Sequence, residues 1–230
     1  MRRFPWVLTV LTVAALALLI ALGTWQVRRL AWKEGLIAAA DAAAAAPPAP
    51  LAEVLAGPAP EFRRVVADCP GLASAPYVEL QSIDEGRAGS RLVSLCVFDP
   101  SRPPILVDRG FVADTVSARP PVGRAEAPTR IEGVLREPGG PSPLTPGPAD
   151  GRFFARDAEA MAEALGRDGP VQPLTLFATV SSNPDWAALE PSAPPAAFSN
   201  NHLGYAMTWF GLAIVLLGFY IALLRRRLKG

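Results

Sequence analysis

Two uncharged, apolar stretches dominate the pattern of hydrophobic and polar residues along this chain. The first covers Trp6–Trp25 and the second covers Leu203–Leu224. Each holds about the 20 residues that an α-helix needs to cross the hydrocarbon core of a bilayer. The pattern therefore predicts two transmembrane helices, flanked by short termini at residues 1–5 and 225–230, with a long central segment on one face of the membrane.

The segment directly after the first span, residues 26–60, is predicted to be a juxtamembrane helix followed by a linker. Trp25, Trp32 and Leu36 recur at helical spacing, which is typical of an amphipathic helix. The two tryptophans are of the type that anchors helices at a membrane interface. A run of alanines then meets the prolines of residues 47–50, which end the helix.

Residues 61–182 change to short runs rich in Val, Ile and Leu that are bounded by Pro, Gly or Asp, a pattern that predicts strands. The runs are Phe62–Ala67, Tyr77–Gln81, Arg91–Phe98, Ile105–Val112, Arg130–Leu135 and Leu174–Val180. A short helix is expected at Asp157–Leu165, with Asp157 as its N-cap. Brief connections favour an antiparallel sheet, either open or curled into a small barrel. The fold class is thus membrane α plus β, with a linker at residues 183–202.

The basic residues next to the spans predict the orientation of the chain. Arg2 and Arg3 precede the first span, and four further basic residues lie within residues 225–229. Because two spans place both termini on one side, these residues predict cytoplasmic termini and an extracytoplasmic central domain, against three basic residues within 28–33. The alternative is a cleaved signal peptide with a site near Ala21–Gly23, although its apolar core would be unusually long.

Composition and motifs argue against nucleic-acid binding and give no support for catalysis. The net charge is +1, and the central segment carries no basic patch with interleaved aromatic residues. The sequence has no GxSxG, P-loop, HExxH or post-strand GxGxxG motif. A histidine base would have to be His202, the sole histidine, which stands at the membrane boundary. We therefore expect no enzyme and no nucleic-acid partner, with membrane lipids as neighbours.

The only two cysteines, Cys69 and Cys96, lie too far apart in sequence for a CxxC motif. In an oxidising compartment a structural disulfide between them is the favoured interpretation. Two free thiols, or two metal ligands together with His202, are the alternatives. A further polar segment, Asp108–Gly110, is interpreted as the end of a strand that orders a turn, with anion binding as the alternative.

His202 has two interpretations from the residues alone. On a helix, His202, Tyr205 and Trp209 fall on one stripe. They form either an interfacial polar cap beside aromatic residues, or a site in which His202 is an axial ligand of haem iron and the aromatic stripe faces the porphyrin.

Several segments resemble, in order, the Surfeit locus protein 1 family of cytochrome c oxidase assembly factors. Gly23–Lys33 (GTWQVRRLAWK) is similar to the opening signature of the family, and Asn201–Phe210 (NHLGYAMTWF) is similar to its closing signature. Between them, Phe62–Val65, Val107–Val112 and Gly133–Arg136 resemble three of its strands. The chain departs from the family pattern at Cys69 and Cys96 and in a shortened loop at residues 82–90.

The resemblance implies a protein of the bacterial inner membrane with a periplasmic domain, which assists insertion of haem a into subunit I of cytochrome c oxidase. It implies His202 as the haem ligand, Tyr205, Trp209 and Trp25 as neighbours of the haem, and the haem a synthesis enzymes as partners. A scaffold that stabilises an assembly intermediate without binding a cofactor, and a tethered periplasmic carrier or sensor domain, are the alternatives.

Overall fold

The computed structural model describes residues 4–123, 128–191 and 201–229. The chain divides into a helical unit, residues 1–39 and 196–230, and a sheet unit, residues 40–195. The elements follow in chain order: α1 Trp6–Ala45, β1 Ala49–Pro50, α2 Leu51–Leu55, β2 Arg64–Pro70, a 3₁₀ turn Leu72–Ser74, β3 Val78–Asp84, β4 Arg87–Cys96, β5 Ile105–Ala113, β6 Pro128–Arg136, β7 Arg152–Phe153, α3 Ala158–Ala164, β8 Thr175–Ala178 and α4 His202–Lys229.

Helices α1 and α4 are each long and apolar enough to cross a membrane. Only 11% of the most apolar window of α1 and 6% of that of α4 is buried, whereas the core helix of a soluble protein would be mostly buried. Apolar helices whose side chains face outward on nearly all sides are suited to lipid. The chain is therefore a membrane protein, and the prediction that α1 continues beyond its span as one helix is confirmed.

Small residues bring α1 and α4 close together within the helical unit. A Cβ atom on Gly23 of α1 would lie 2.7 Å from the ring of Phe210 on α4, so the ring occupies the space that the glycine leaves. Towards the other end, the hydroxyl groups of Thr9 and Tyr220 lie 2.8 Å apart and form a hydrogen bond. Small residues that let helices approach and polar groups that pair between them are the usual means of helix association in lipid.

The sheet unit is built on one eight-stranded mixed sheet with the strand order β1-β2-β6-β8-β5-β4-β3-β7. The predicted strands are found, and the longest pairings, β2 with β6, β3 with β4 and β4 with β5, are antiparallel as expected. Three pairings are parallel, however: β1 with β2, β3 with β7, and β5 with β8. Among the described residues, β1 and β7 do not pair with each other, so the sheet is open and the small-barrel alternative is wrong.

Strand β5 lies at the centre of the sheet, between β4 and β8. Its first eight residues are buried on both faces, which explains why its sequence is a continuous apolar run interrupted by Asp108, Arg109 and Gly110. The sequence of a buried central strand is apolar at consecutive positions because neither face of the strand contacts water.

The sheet unit extends into both segments that were predicted to be linkers. Leu51 and Val54 of α2 are buried in the main core cluster, although they lie within the predicted linker before residue 60. On the other side, Leu189 is 1% exposed, and the backbone of Glu190 pairs with that of Phe111. These segments therefore cover the sheet and complete its core.

The expectation for helix α3 is confirmed, and β3 and β4 are joined by a tight turn. The carboxylate of Asp157 accepts a hydrogen bond of 3.0 Å from the backbone N–H of Ala160, as an N-cap does. The β3–β4 hairpin turns at Glu85 and Gly86, both of which have positive φ. Such a two-residue turn matches the twist of the strands that it joins.

Candidate functional site at His202

His202 is the first residue of α4, and it faces α1 within the helical unit. Its side chain is half-buried, and the polar side chain nearest to it belongs to Gln26 of α1. Nδ1 of His202 lies 2.6 Å from Oε1 of Gln26, a hydrogen bond between residues that are 176 positions apart in sequence. The two ends of the chain therefore meet at this histidine.

Gln26 is enclosed, with only 9% of its surface exposed. An amide in such a place needs a hydrogen-bond partner, because an unsatisfied buried polar group costs about 1–3 kcal/mol. The imidazole supplies that partner. In the described segments, Nε2 of His202 forms no hydrogen bond, so this nitrogen is left for another group.

Trp25, the residue before Gln26, also contacts the histidine. The centroids of the indole and imidazole rings lie 6.4 Å apart with an interplanar angle of 84°, an edge-to-face arrangement. The indole remains 55% exposed. The structure thus brings together two of the residues predicted for the site, Trp25 and His202, and adds Gln26.

Tyr205 and Trp209 lie further along α4, one and two turns after His202. Tyr205 is 56% exposed and Trp209 is half-buried, and within the described residues neither makes a hydrogen bond or a ring contact with His202. Tyr205 lines an open depression of about 470 Å³ together with Asn201, Gly204 and Thr208. The aromatic stripe therefore faces outward beside the histidine.

The segment Asp108–Gly110 does not end a strand, contrary to the sequence interpretation. It lies inside β5, where Arg109 and Gly110 form a bulge opposite Leu92. The carboxylate of Asp108 is fully buried and accepts hydrogen bonds from Arg91, at 2.6 Å, and from Arg156.

Arg109 is fully buried as well, and its hydrogen bonds within the described residues are all to neutral groups. Its guanidinium donates to the hydroxyl of Ser182 at 2.9 Å and to the carbonyl of Ala73 at 2.9 Å, with longer contacts to Ser94 and Ala75. Burial lowers the pKa of this guanidinium to about 10, which leaves it charged at neutral pH. Its donors are used within the fold and the residue has no exposed surface, which favours a structural role over anion binding.

The cysteines do not form a metal site with His202. Cys69 on β2 and Cys96 on β4 are joined in a disulfide, with Cα atoms 5.2 Å apart. Across the described parts of the chain, no group of three or more His, Cys, Asp or Glu residues is arranged to hold a metal ion. Among the described residues, His202 is therefore not part of a cluster of protein side chains that could hold a metal ion.

Comparison with known protein sequences identifies the family of this chain. A sequence model of the SURF1 family matches residues 13–214. The chain belongs to the SURF1 family.

Several curated members of the SURF1 family align with most of this chain. It is 30% identical over 229 residues to Surfeit locus protein 1 of Homo sapiens, an alignment that covers 90% of this chain and 73% of the human protein. It is 27% identical over 222 residues to a SURF1-like protein of Monosiga brevicollis, which covers 89% and 83% of the two chains. Surfeit locus protein 1 of Mus musculus is 29% identical over 216 residues, covering 83% and 67%.

The SURF1 match includes both halves of the site, since Gln26 and His202 lie within residues 13–214. No sequence pattern predicted a role for Gln26. The signal that was available is that Gln26 is an uncharged polar residue at the end of an apolar span, next to Trp25. A polar side chain that continues an apolar helix needs a hydrogen-bond partner. The sole histidine, at the start of the other apolar span, is the candidate for that partner.

Proposed function

We propose that this SURF1-family protein is an assembly factor for cytochrome c oxidase that binds haem a through His202 and passes it to subunit I of the oxidase. The observation that carries the proposal is that, among the described residues, only one of the two imidazole nitrogens of His202 has a hydrogen-bond partner. Nδ1 is occupied by Gln26, while Nε2 has no hydrogen-bond partner in the described residues. A neutral imidazole with one open nitrogen is the common protein ligand of haem iron.

The surroundings of His202 fit a flat, largely apolar cargo. Trp25 and Tyr205 each expose more than half of their surface beside the histidine. Gly204 and Thr208, together with Tyr205, line the shallow depression on α4. Aromatic faces and small side chains at the boundary of a membrane helix can contact a macrocycle while its edge remains in lipid.

A single histidine ligand suits a protein that gives its cargo away. One iron–imidazole bond can be displaced by a histidine of the acceptor, whereas two bonds from the same protein would hold the haem more firmly. The haem a synthesis enzymes would supply the cargo and subunit I would receive it. The basic residues outside the spans support cytoplasmic termini, which would place His202 at the periplasmic face of the bacterial inner membrane.

The test is to compare bound haem in the wild type and in His202→Ala, both purified in detergent from cells that make haem a. We expect the Soret absorbance per mole of protein to fall to background in the variant, because no other histidine exists in the chain to replace it. Tyr220→Phe is a matched control. It removes a hydrogen bond between α1 and α4 at the opposite end of α4 and should keep its haem.

Three outcomes would count against the proposal. Equal Soret absorbance in the wild type and in His202→Ala would exclude His202 as the ligand. A wild type that carries no haem but co-purifies with oxidase subunits would favour the scaffold function. A protein that co-purifies with no oxidase subunit would favour a tethered carrier or sensor domain.

A further inference from the structure

The imidazole of His202 has two nitrogens. The hydrogen-bond partner of one nitrogen determines whether the other carries a proton or a lone pair. Oε1 of Gln26 lies 2.6 Å from Nδ1. An amide oxygen only accepts hydrogen bonds, so the proton between the two atoms must belong to Nδ1. With its proton on Nδ1, a neutral imidazole carries its lone pair on Nε2.

We propose that Gln26 is a positioning residue that holds His202 in the Nδ1-protonated tautomer and so presents Nε2 to the iron of the haem cargo. This inference rests on the proposed function for its purpose, although the tautomer itself is a property of the protein without haem. Gln26 touches the ligand residue and is not itself a ligand.

The geometry around Gln26 supports a fixed orientation. Its backbone lies inside α1, which runs without interruption from Trp6 to Ala45, so its position relative to the helix is set. Only 9% of the surface of the residue is exposed. Trp25 meets the imidazole edge-to-face on the same helix and restricts rotation of the ring. A ligand that is oriented before the cargo arrives loses less entropy on binding.

A purely structural contact between α1 and α4 is the competing explanation. It predicts that removing the amide weakens the association of the helices and leaves the chemistry of the imidazole unchanged. Positioning predicts a change in the imidazole itself, because hydrogen-bond partners of metal-bound histidines fix the tautomer and raise the basicity of the ligand. The two explanations therefore differ in spectroscopic readouts that packing alone does not change.

The first experiment uses the protein without haem. With one histidine in the chain, selective ¹⁵N labelling of histidine gives NMR signals from His202 alone. The spectra are recorded in mildly alkaline buffer, and the wild type should carry its proton on Nδ1. Gln26→Leu, which is similar in size but cannot accept, should lose that preference, and Gln26→Glu should keep it.

Thr24→Ala is the matched control for these variants. Thr24 lies on the same helix, is exposed, and donates its hydroxyl hydrogen bond back to the carbonyl of Ile20. It should leave the imidazole signals unchanged. A wild-type proton on Nε2, or the same tautomer in the wild type and in Gln26→Leu, would overturn the inference.

The second experiment measures haem binding. Gln26→Leu should bind haem roughly 10–100-fold more weakly, the usual effect of removing the partner of a metal-bound histidine. Gln26→Glu should recover binding and lower the reduction potential of the iron, because a carboxylate takes a larger share of the Nδ1 proton and makes Nε2 a stronger donor. Equal affinity in the wild type and Gln26→Leu would overturn the positioning role.

The failures of the two proposals are distinguishable. If the wild type binds no haem, the proposed function falls, and the NMR experiment alone decides whether Gln26 sets the tautomer. If His202→Ala loses haem while Gln26→Leu keeps it with wild-type affinity, the proposed function stands and the role of Gln26 is refuted. Far-UV circular dichroism of each variant checks that the helices are retained, and Gln26→Glu keeps the test valid if Gln26→Leu does not fold.

Discussion

Removing the Cys69–Cys96 disulfide should lower the stability of the sheet unit substantially. The bond joins β2 to β4 across 27 positions of sequence. In the chain-entropy description, a cross-link that closes a loop of this length removes about 12 cal/mol/K from the unfolded ensemble, which is about 3.5 kcal/mol at 25 °C. Both cysteines are almost fully buried in the main core cluster, so their substitution also removes packing.

We expect the loss of the cross-link to lower the melting temperature by roughly 7–14 °C, taking about 2–4 °C per kcal/mol for a domain of this size. Full-length protein in detergent is heated while circular dichroism follows the sheet signal. Reduced wild type keeps both sulfur atoms and therefore isolates the cross-link. The double variant Cys69→Ala/Cys96→Ala adds the loss of packing and should melt lower than the reduced wild type.

The two single cysteine variants provide an internal control. Because the cross-link needs both residues, either substitution removes all of it, and the double variant should be far from the sum of the singles. Equal melting temperatures for oxidised and reduced wild type would refute the reasoning. Two thiols that react with alkylating reagent in unreduced full-length protein would refute the bond itself.

Two further predictions concern the bulge in β5 and the topology of the chain. Gly110→Ala should destabilise the sheet unit by about 3 kcal/mol or more, because Gly110 has φ +127° and an added Cβ would lie 2.3 Å from the carbonyl oxygen of Glu190. Gly140→Ala is the control, because a Cβ atom added there meets nothing within 4 Å. Equal denaturation midpoints for the two variants would contradict the argument. A reporter active only in the periplasm should work when inserted at Gly147 and fail when fused after Gly230, and the opposite pattern would reverse the orientation.

The parts of the fold that the sequence predicted are those governed by local patterns. Long uncharged stretches predicted α1 and α4, and runs rich in β-branched residues predicted the main strands. The first four residues of β4 were missed, because residues 87–90 are polar or small; all four pair with β3, and residues 89–90 also pair with β5. Its length depends on partners that no local pattern describes.

The parallel pairing of β5 with β8 could not be predicted from the sequence either, because it too depends on partners that no local pattern describes. The two strands are separated by more than 60 positions, and β8 is held between β5 and β6 by tertiary packing. Likewise, Asp108, Arg109 and Gly110 looked like the end of a strand because two charges and a glycine interrupt an apolar run. In the fold those charges are paired or enclosed, so polar residues could remain inside a central strand.

The hydrogen bond between Gln26 and His202 could not be predicted from the sequence for a different reason. Each residue was visible in the sequence as a polar group at the mouth of an apolar span, but their separation of 176 positions hid the pairing. Such a pair contributes little to the association of two helices, since polar contacts between membrane helices average well under 1 kcal/mol. Apolar residues at these two positions would pack without any need for a partner.

Helix association therefore gives little physical reason for an amide and an imidazole at this contact, whereas ligand chemistry gives a strong one. In our proposal, the amide oxygen of Gln26 accepts a hydrogen bond from Nδ1–H of His202 and so leaves the lone pair on Nε2. One hydrogen bond would then satisfy two polar groups and also prepare one nitrogen for a metal. Measuring the tautomer of His202 therefore distinguishes a simple helix contact from a haem site.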